Sequence, residues 1–226
     1  MDTTQLLDLF RSDTMDTVIP YLWSDTEIFS YMDDAQKMFC RLQGGISDSS
    51  SSTTVISATA GEPFADVSPL ILKIRLATRA SDGRRLEILN FEDLEGRMAE
   101  EDYGYRASYR LDNHQGEVRA IVVGMETNKV RLVRIPEEDQ EINLTVYRLP
   151  HTTLASKGQD LEIDEQHHRY LLYWMKHLAH QKQDAETYDR GRSDTFRAEF
   201  LAYCDQAKAE RERREHKYRT VAYGGY

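Results

Sequence analysis

The sequence predicts an α+β fold, mainly α: a helical bundle of about four helices, a small antiparallel β-domain inserted into it, and an extended C-terminal tail. Three observations carry this. Apolar residues recur at steps of three and four before residue 46 and again after residue 151, they alternate at steps of two in between, and the closing KYRTVAYGGY has no period at all. The segments are therefore 1–46 for the N-terminal helices, 47–150 for the inserted β-domain, 151–216 for the long C-terminal helices and 217–226 for the arm.

A short helix is predicted around Thr3 to Phe10, where Leu6, Leu7 and Phe10 share a face. The next starts at an explicit cap within PYLWSDTEIFSYMDDAQKMFCRL, from Pro20 to Leu42. Ser24 is placed to accept a hydrogen bond from the Glu27 amide while the Glu27 carboxylate reaches back to the Ser24 amide, and Asp25 sets negative charge beside the positive helix end. Ile28, Tyr31, Met32, Ala35, Met38, Phe39 and Leu42 form the apolar stripe, with Asp33, Asp34, Lys37 and Arg41 on other faces, and Gly44 and Gly45 stop the helix. Trp23, next to the cap, reads as a staple for the incoming loop.

The stretch GGISDSSSSTTV offers serines and little to bury, which predicts a loop. After it Leu72, Ile74 and Leu76 alternate with Lys73, Arg75 and Ala77, and Asp82-Gly83 marks a hairpin before Leu86 and Ile88. Further strands are predicted from Val118 to Val123, Lys129 to Ile135 and Ile142 to Leu149, separated by turns at Gly124 to Asn128 and Pro136 to Asp139. Helix resumes at Asp164 as a cap, with Tyr170, Leu171, Trp174, Met175 and Leu178 on one stripe. After Tyr188-Asp189-Arg190-Gly191 a last helix starts near Ser193 and carries Phe196, Phe200, Tyr203 and Ala207 on one side. Its distal part, AKAERERREHK, lacks an apolar stripe and is predicted to project into solvent or against a charged partner.

Charge and cysteine usage exclude several classes of function. A formal net charge of −10 disfavours nonspecific adhesion to DNA, which needs local positive charge. Cys40 and Cys204 form no CxxC pair, so neither a disulfide framework nor a thiolate zinc site is indicated, and assembly in a reducing cytoplasm is the natural reading. No apolar run approaches the roughly 20 residues that cross a bilayer, and the acidic MDTTQLLDLF lacks a signal-peptide pattern, so a soluble protein without membrane contact is expected.

Catalytic and metal readings find little to build on. His167, His168, His177 and His180 lie in one predicted helix, but Glu165-x-x-His168 occurs once without the second copy a di-iron bundle needs, so a solvated or interfacial histidine face is expected. The acidic runs Glu100-Glu101-Asp102 and Glu137-Glu138-Asp139 read as solvated turns rather than paired catalytic carboxylates. No Walker loop, nucleophile elbow or zinc-protease helix is present, and no cofactor, metal ligand or catalytic residue is assigned. The reading from another class is a cytoplasmic helical binding protein or metalloenzyme that uses the histidine-bearing helix.

Two stretches carry a resemblance to a known family. Trp23-Ser24-Asp25 opening a helix that ends in Asp34-Ala35-Gln36 and Phe39-Cys40 is similar to the opening of phage head-to-tail adaptor proteins, also called connector or head-completion proteins, of podovirus type. KQDAETYD, from Lys182 to Asp189, resembles the joint those adaptors carry between two long helices. The resemblance implies a non-enzymatic structural virion protein, assembled in the host cytoplasm and placed at the neck between capsid and tail. It implies a homo-oligomeric ring, dodecameric, that binds the portal protein, presents a surface to the tail nozzle or tail-tube protein, extends the DNA channel and passes double-stranded DNA at ejection without specific binding. The C-terminal arm, with Tyr218, Arg219, Tyr223, Gly224, Gly225 and Tyr226, would inherit the portal contact: tyrosines give large contacts at low entropy cost, and glycines allow close approach. Arg211, Arg213, Arg214 and Glu215 on the charged helix suit lateral or portal contacts, and Glu100, Glu101, Asp102, Glu137, Glu138 and Asp139 are the candidate acids facing the channel or the tail.

Overall fold

The computed structural model describes residues 1–92, 114–184 and 186–215. The chain forms two compact units, one of Met1–Gly45 with the chain from Pro150 onward, the other of Ile46–Leu149.

The first unit is helical: α1 (Thr3–Asp13), α2 (Asp25–Gln43), α3 (Glu165–His168), α4 (Leu171–Ala179) and α5 (Arg190–Glu215). Each of the first two opens on a reciprocal cap. Asp2 accepts from the Gln5 amide at 2.8 Å while the Gln5 side chain accepts from the Asp2 amide, and Ser24 and Glu27 repeat the exchange at α2. Gly44 ends α2 in the left-handed region at φ 103°, a conformation that costs a side-chain-bearing residue about 1 kcal/mol or more. Ile28, Met32, Ala35 and Phe39 of the predicted stripe are buried, and the stripe is wider than predicted because Phe29, Gln36 and Cys40 are buried too. The linker after Pro150 is laced onto these helices through Thr3, Asp33 and Gln36, which bond the backbone of Ser156 and Gln159, Leu154 and Glu162 respectively.

Two expectations for the later helices are corrected. The helix from Asp164 is not continuous: α3 has four residues, Asp164 makes no side-chain cap, and the chain restarts as α4 at Leu171. The charged end of α5 does not simply project into solvent, because Arg211 is drawn onto the C-terminal carbonyls of α2.

The second unit is a curled sheet of eight strands: β1 (Ile46–Asp48), β2 (Val55–Ala58), β3 (Phe64–Asp66), β4 (Ile71–Arg79), β5 (Arg85–Asn90), β6 (Ala120–Glu126), β7 (Lys129–Val133) and β8 (Gln140–Arg148). Their order is β1-β8-β4-β5-β6-β7-β3, with β2 also on β8. Inside the curl Ile56, Ala65, Ala77, Leu86, Ile121, Val130, Leu132, Ile142 and Val146 form an aliphatic core. The insert enters and leaves side by side, since Ile46 pairs with Arg148, which is the arrangement that lets one unit be spliced into another.

This sheet overturns the predicted fold class. Of the described residues 38% are helical and 26% are in strands, so the protein is not a mainly helical bundle with a small β insert. The sheet is not purely antiparallel either, because β5 and β6 run parallel from Glu87 opposite Ala120 to Asn90 opposite Val123. The chain between those strands is long enough for the crossover that parallel pairing requires. The serine-rich stretch predicted as a loop contains β1, a 3₁₀ turn at Ser52–Thr54 and the start of β2. Asp48 organises it, accepting from the amides of Ser50 and Ser51 at 3.0 and 3.2 Å and from Arg148 Nε. Burial alone would raise the Asp48 carboxyl, but these hydrogen bonds outweigh it and hold the group well below the usual carboxylate range. In β4, irregularities at Ile71/Lys73 and Ile74/Leu76 break the alternation, so Ala77 faces the core and Leu72 is exposed, the reverse of the predicted faces.

Candidate functional site

The two stretches behind the resemblance meet in space. Trp23, 2% exposed, donates its indole N–H to the carbonyl of Ala179 at 3.2 Å and stands edge-on to Phe10 and to His180. Lys182 reaches the Glu27 carboxylate at 2.9 Å and the Leu22 carbonyl at 3.3 Å. The Lys182 hydrogen bond draws the Glu27 carboxyl below its ordinary range, and Glu27 in turn raises Lys182. Further along the joint, Thr187 donates to the Lys182 carbonyl, and Asp189 accepts from the Arg192 amide at 3.0 Å at the start of α5. Trp23 therefore serves inside the structure, as the staple reading expects, and both motifs are the grammar of one helix joint.

Arg11 locks the loop beneath that joint. It bonds Asp16 at 2.7 Å, the Trp23 carbonyl at 3.1 Å and Asp25 at 2.6 Å, with Arg11 and Asp16 both buried. The Arg11 hydrogen bond holds the Asp25 carboxyl below its usual range.

The histidines are not a solvated face. His168 and His177 are buried, and each histidine is committed to a protein partner. His168 Nε2 donates to the Ile163 carbonyl at 2.8 Å, His177 Nδ1 to the Ser193 carbonyl at 3.0 Å and His180 Nδ1 to the Thr187 carbonyl at 3.2 Å. His167 Nδ1 shares a 2.8 Å hydrogen bond with the Tyr203 hydroxyl, and burial pushes the imidazole below its ordinary pKa and the phenol up to about 12. The stripe was misread because imidazole fills a core well once one nitrogen has an acceptor. Among the described residues no group of three or more His, Cys, Asp or Glu is arranged to hold a metal ion.

The predicted contact residues fall into three sets. On α5, Arg211 is half-buried, donating to the carbonyls of Gly45 at 2.6 Å and Gln43 at 3.3 Å and to the Gln43 side chain, with Glu215 at 3.1 Å; Arg213 and Arg214 are exposed. A cation over the last carbonyls of α2 complements that end of the helix dipole. Glu137, Glu138 and Asp139 are exposed on the turn between β7 and β8, and Asp139 accepts from the Ala60 amide at 2.8 Å. Glu100, Glu101 and Asp102 in the other acidic run, and Tyr218, Arg219, Tyr223, Gly224, Gly225 and Tyr226 in the arm, lie outside the described residues.

One surface escaped the sequence reading. Met15, Val18, Ile19, Tyr21 and Leu22, in the loop between α1 and α2, are 85%, 75%, 77%, 43% and 36% exposed. The available signal was an apolar run of no helical period lying ahead of a strong cap.

With the joint in view, the comparison with known families is decisive. The family model described as SU10 adaptor protein matches residues 1–223, nearly the whole chain. The chain belongs to the SU10 adaptor protein family. A search of curated proteins finds no match. As an SU10 adaptor family member the protein is a structural adaptor of a bacteriophage, a component of the virion neck that contacts other virion parts such as portal and tail. No described helix of this adaptor is long and apolar enough to cross a membrane.

Proposed function

We propose that this adaptor works as a closed ring, dodecameric, joining the portal vertex to the tail and extending the channel through which DNA leaves the capsid. The observation that carries the reading is the family match over residues 1–223. Its work is contact rather than turnover. A ring multiplies each exposed carboxylate by the copy number, and a chain of net charge −10 then gives a wall that repels phosphates and lets DNA slide. Glu100, Glu101, Asp102, Glu137, Glu138 and Asp139 are the acids proposed to face the channel or the tail nozzle or tail tube.

The arm from Lys217 to Tyr226 is proposed as the portal contact, through Tyr218, Arg219, Tyr223, Gly224, Gly225 and Tyr226. The exposed Arg213 and Arg214 just before it suit lateral or portal pairing, where charge sets register and orientation. Arg211 and Glu215 act from behind, holding this end of α5 on α2. The free protein is expected to be monomeric or weakly associated and to form rings on a portal template.

Deleting residues 217–226 tests the arm. The truncated protein is expected to keep its circular dichroism spectrum and melting temperature and to disappear from mature particles. Truncated protein at normal occupancy in those particles would remove the arm from the portal contact.

A further inference from the structure

β4 is strongly apolar, with Ile71, Leu72, Ile74, Leu76 and Ala77 among its first seven residues. One of its edges pairs with β8 from end to end. The other is open over most of its length: among the described residues β4 and β5 pair only at Ala77–Leu86 and Thr78–Arg85, after which β5 continues against β6. Where the two strands part, a groove of about 500 Å³ opens, lined by Ile74, Arg75, Arg85, Leu86, Glu87 and Ile88. Residues 71–76 thus form a strand edge of high β-propensity, the arrangement that invites a second copy of the chain to add its own strand.

Two features of those same residues stand against it. Register with β8 passes directly from Ile71 to Lys73 and from Ile74 to Leu76, so Leu72 and Arg75 are extra residues in two bulges that bend the edge. Lys73 and Arg75 are also exposed, and neither is ion-paired among the described residues. The Arg75 guanidinium lies 4.7 Å from the centre of the Tyr147 ring on β8, which holds its charge over this part of the sheet.

The spacing of the two cations fixes what they oppose. Two copies meeting edge to edge, antiparallel about Ile74, would set Lys73 of each beside Arg75 of the other, two like-charge pairs on one ladder. Sliding the register by two residues either way brings Lys73 against Lys73 or Arg75 against Arg75. We propose that Lys73 and Arg75 guard the open β4 edge, keeping copies of the chain from pairing strand to strand. The guard acts in the free chain and needs no ring.

Charge reversal tests it on exposed side chains. Lys73→Glu makes the chain more acidic as a whole, which by itself opposes self-association, yet it turns both pairs about Ile74 from repulsive to attractive. The purified variant is expected to self-associate at least roughly tenfold more tightly than the wild type in analytical ultracentrifugation, with amide exchange at residues 71–76 slowing as concentration rises. Lys73→Glu with Arg75→Glu restores like charges and should return the chain to wild-type behaviour. Arg75→Glu alone makes the same conversion from the other side and replaces Lys73→Glu if that variant loses its circular dichroism spectrum. A single variant that associates no more than the wild type, or associates without protecting residues 71–76, would overturn the proposal. So would a double variant that associates as tightly as the single one, or a wild-type chain that already pairs through those residues.

Discussion

The helical unit and the sheet unit are held together by different means. In the helical unit single polar side chains are the fasteners: Arg11 on Asp16, Trp23 and Asp25, the Trp174 indole on Asp34 at 2.7 Å, and Arg211 on the end of α2. Its aromatic rings pack against one another, as in Tyr170 stacked on Tyr203 at 3.5 Å and Trp174 tilted against Phe200 at 5.1 Å. The core inside the curled sheet is built from Ile, Leu, Val and Ala, and register defines it more than its few polar ties, Asp48 on Arg148 and buried Arg79 on the Val118 carbonyl. A polar fastener lost with its buried partner left behind is costly, whereas an aliphatic core responds in proportion to the volume removed. Both tryptophans, Trp23 and Trp174, lie in the helical unit, so fluorescence reads that unit alone.

The largest effect is expected at Arg11. Arg11→Ala leaves the Asp16 carboxylate buried without its cation, and the helical unit should lose about 3–5 kcal/mol in urea unfolding followed by fluorescence. A loss under 1 kcal/mol, the range of surface pairs, would deny the fastener its role. Next comes the cap: Ser24→Ala removes an acceptor at the start of α2 and should cost about 1 kcal/mol by the same assay. Ile121→Val in the sheet core should also cost about 1 kcal/mol, seen as faster amide exchange in β6 with the fluorescence midpoint unmoved. A common shift in both signals would make the two regions one cooperative body.

The smallest effect is pH dependence, and its sign separates the regions. Burial depresses His167, so its contribution is present above the unfolded value of about 6.5 and is lost as pH falls from there toward the folded pKa. Asp48 in the sheet unit is depressed from the carboxylate range, and its contribution is lost only below about pH 4, as are those of Asp25 and Glu27. The fluorescence midpoint in urea should therefore drop between pH 7.5 and 5.5, and His167→Gln should shrink the drop. An unchanged drop in that variant would assign it elsewhere.

Legibility followed the same division. The α2 cap, its stripe and the Gly44 stop could be read because helix signals are local, each set by residues three or four apart. The sheet was underestimated because β1, β2 and β3 hold three or four residues, too few to show alternation, and the β4 irregularities interrupt its alternation, leaving Leu72 exposed and Ala77 buried. Parallel pairing of β5 with β6 is a long-range choice that no local pattern records. At the candidate site, the Trp23 and Lys182 motifs were visible as separate strings, but their meeting through Glu27, Leu22 and Ala179 was not. The histidines misled because polar residues on a helix face look solvated until their acceptors, Ile163, Ser193 and Thr187, are known.

The ring is the claim on which the functional account stands, and imaging the neck of intact particles addresses it most directly. Density for this chain is expected as a closed ring of twelve copies, coaxial with the channel and lying between portal and tail. Density for the chain elsewhere in the particle, or a neck that lacks it, would contradict the account.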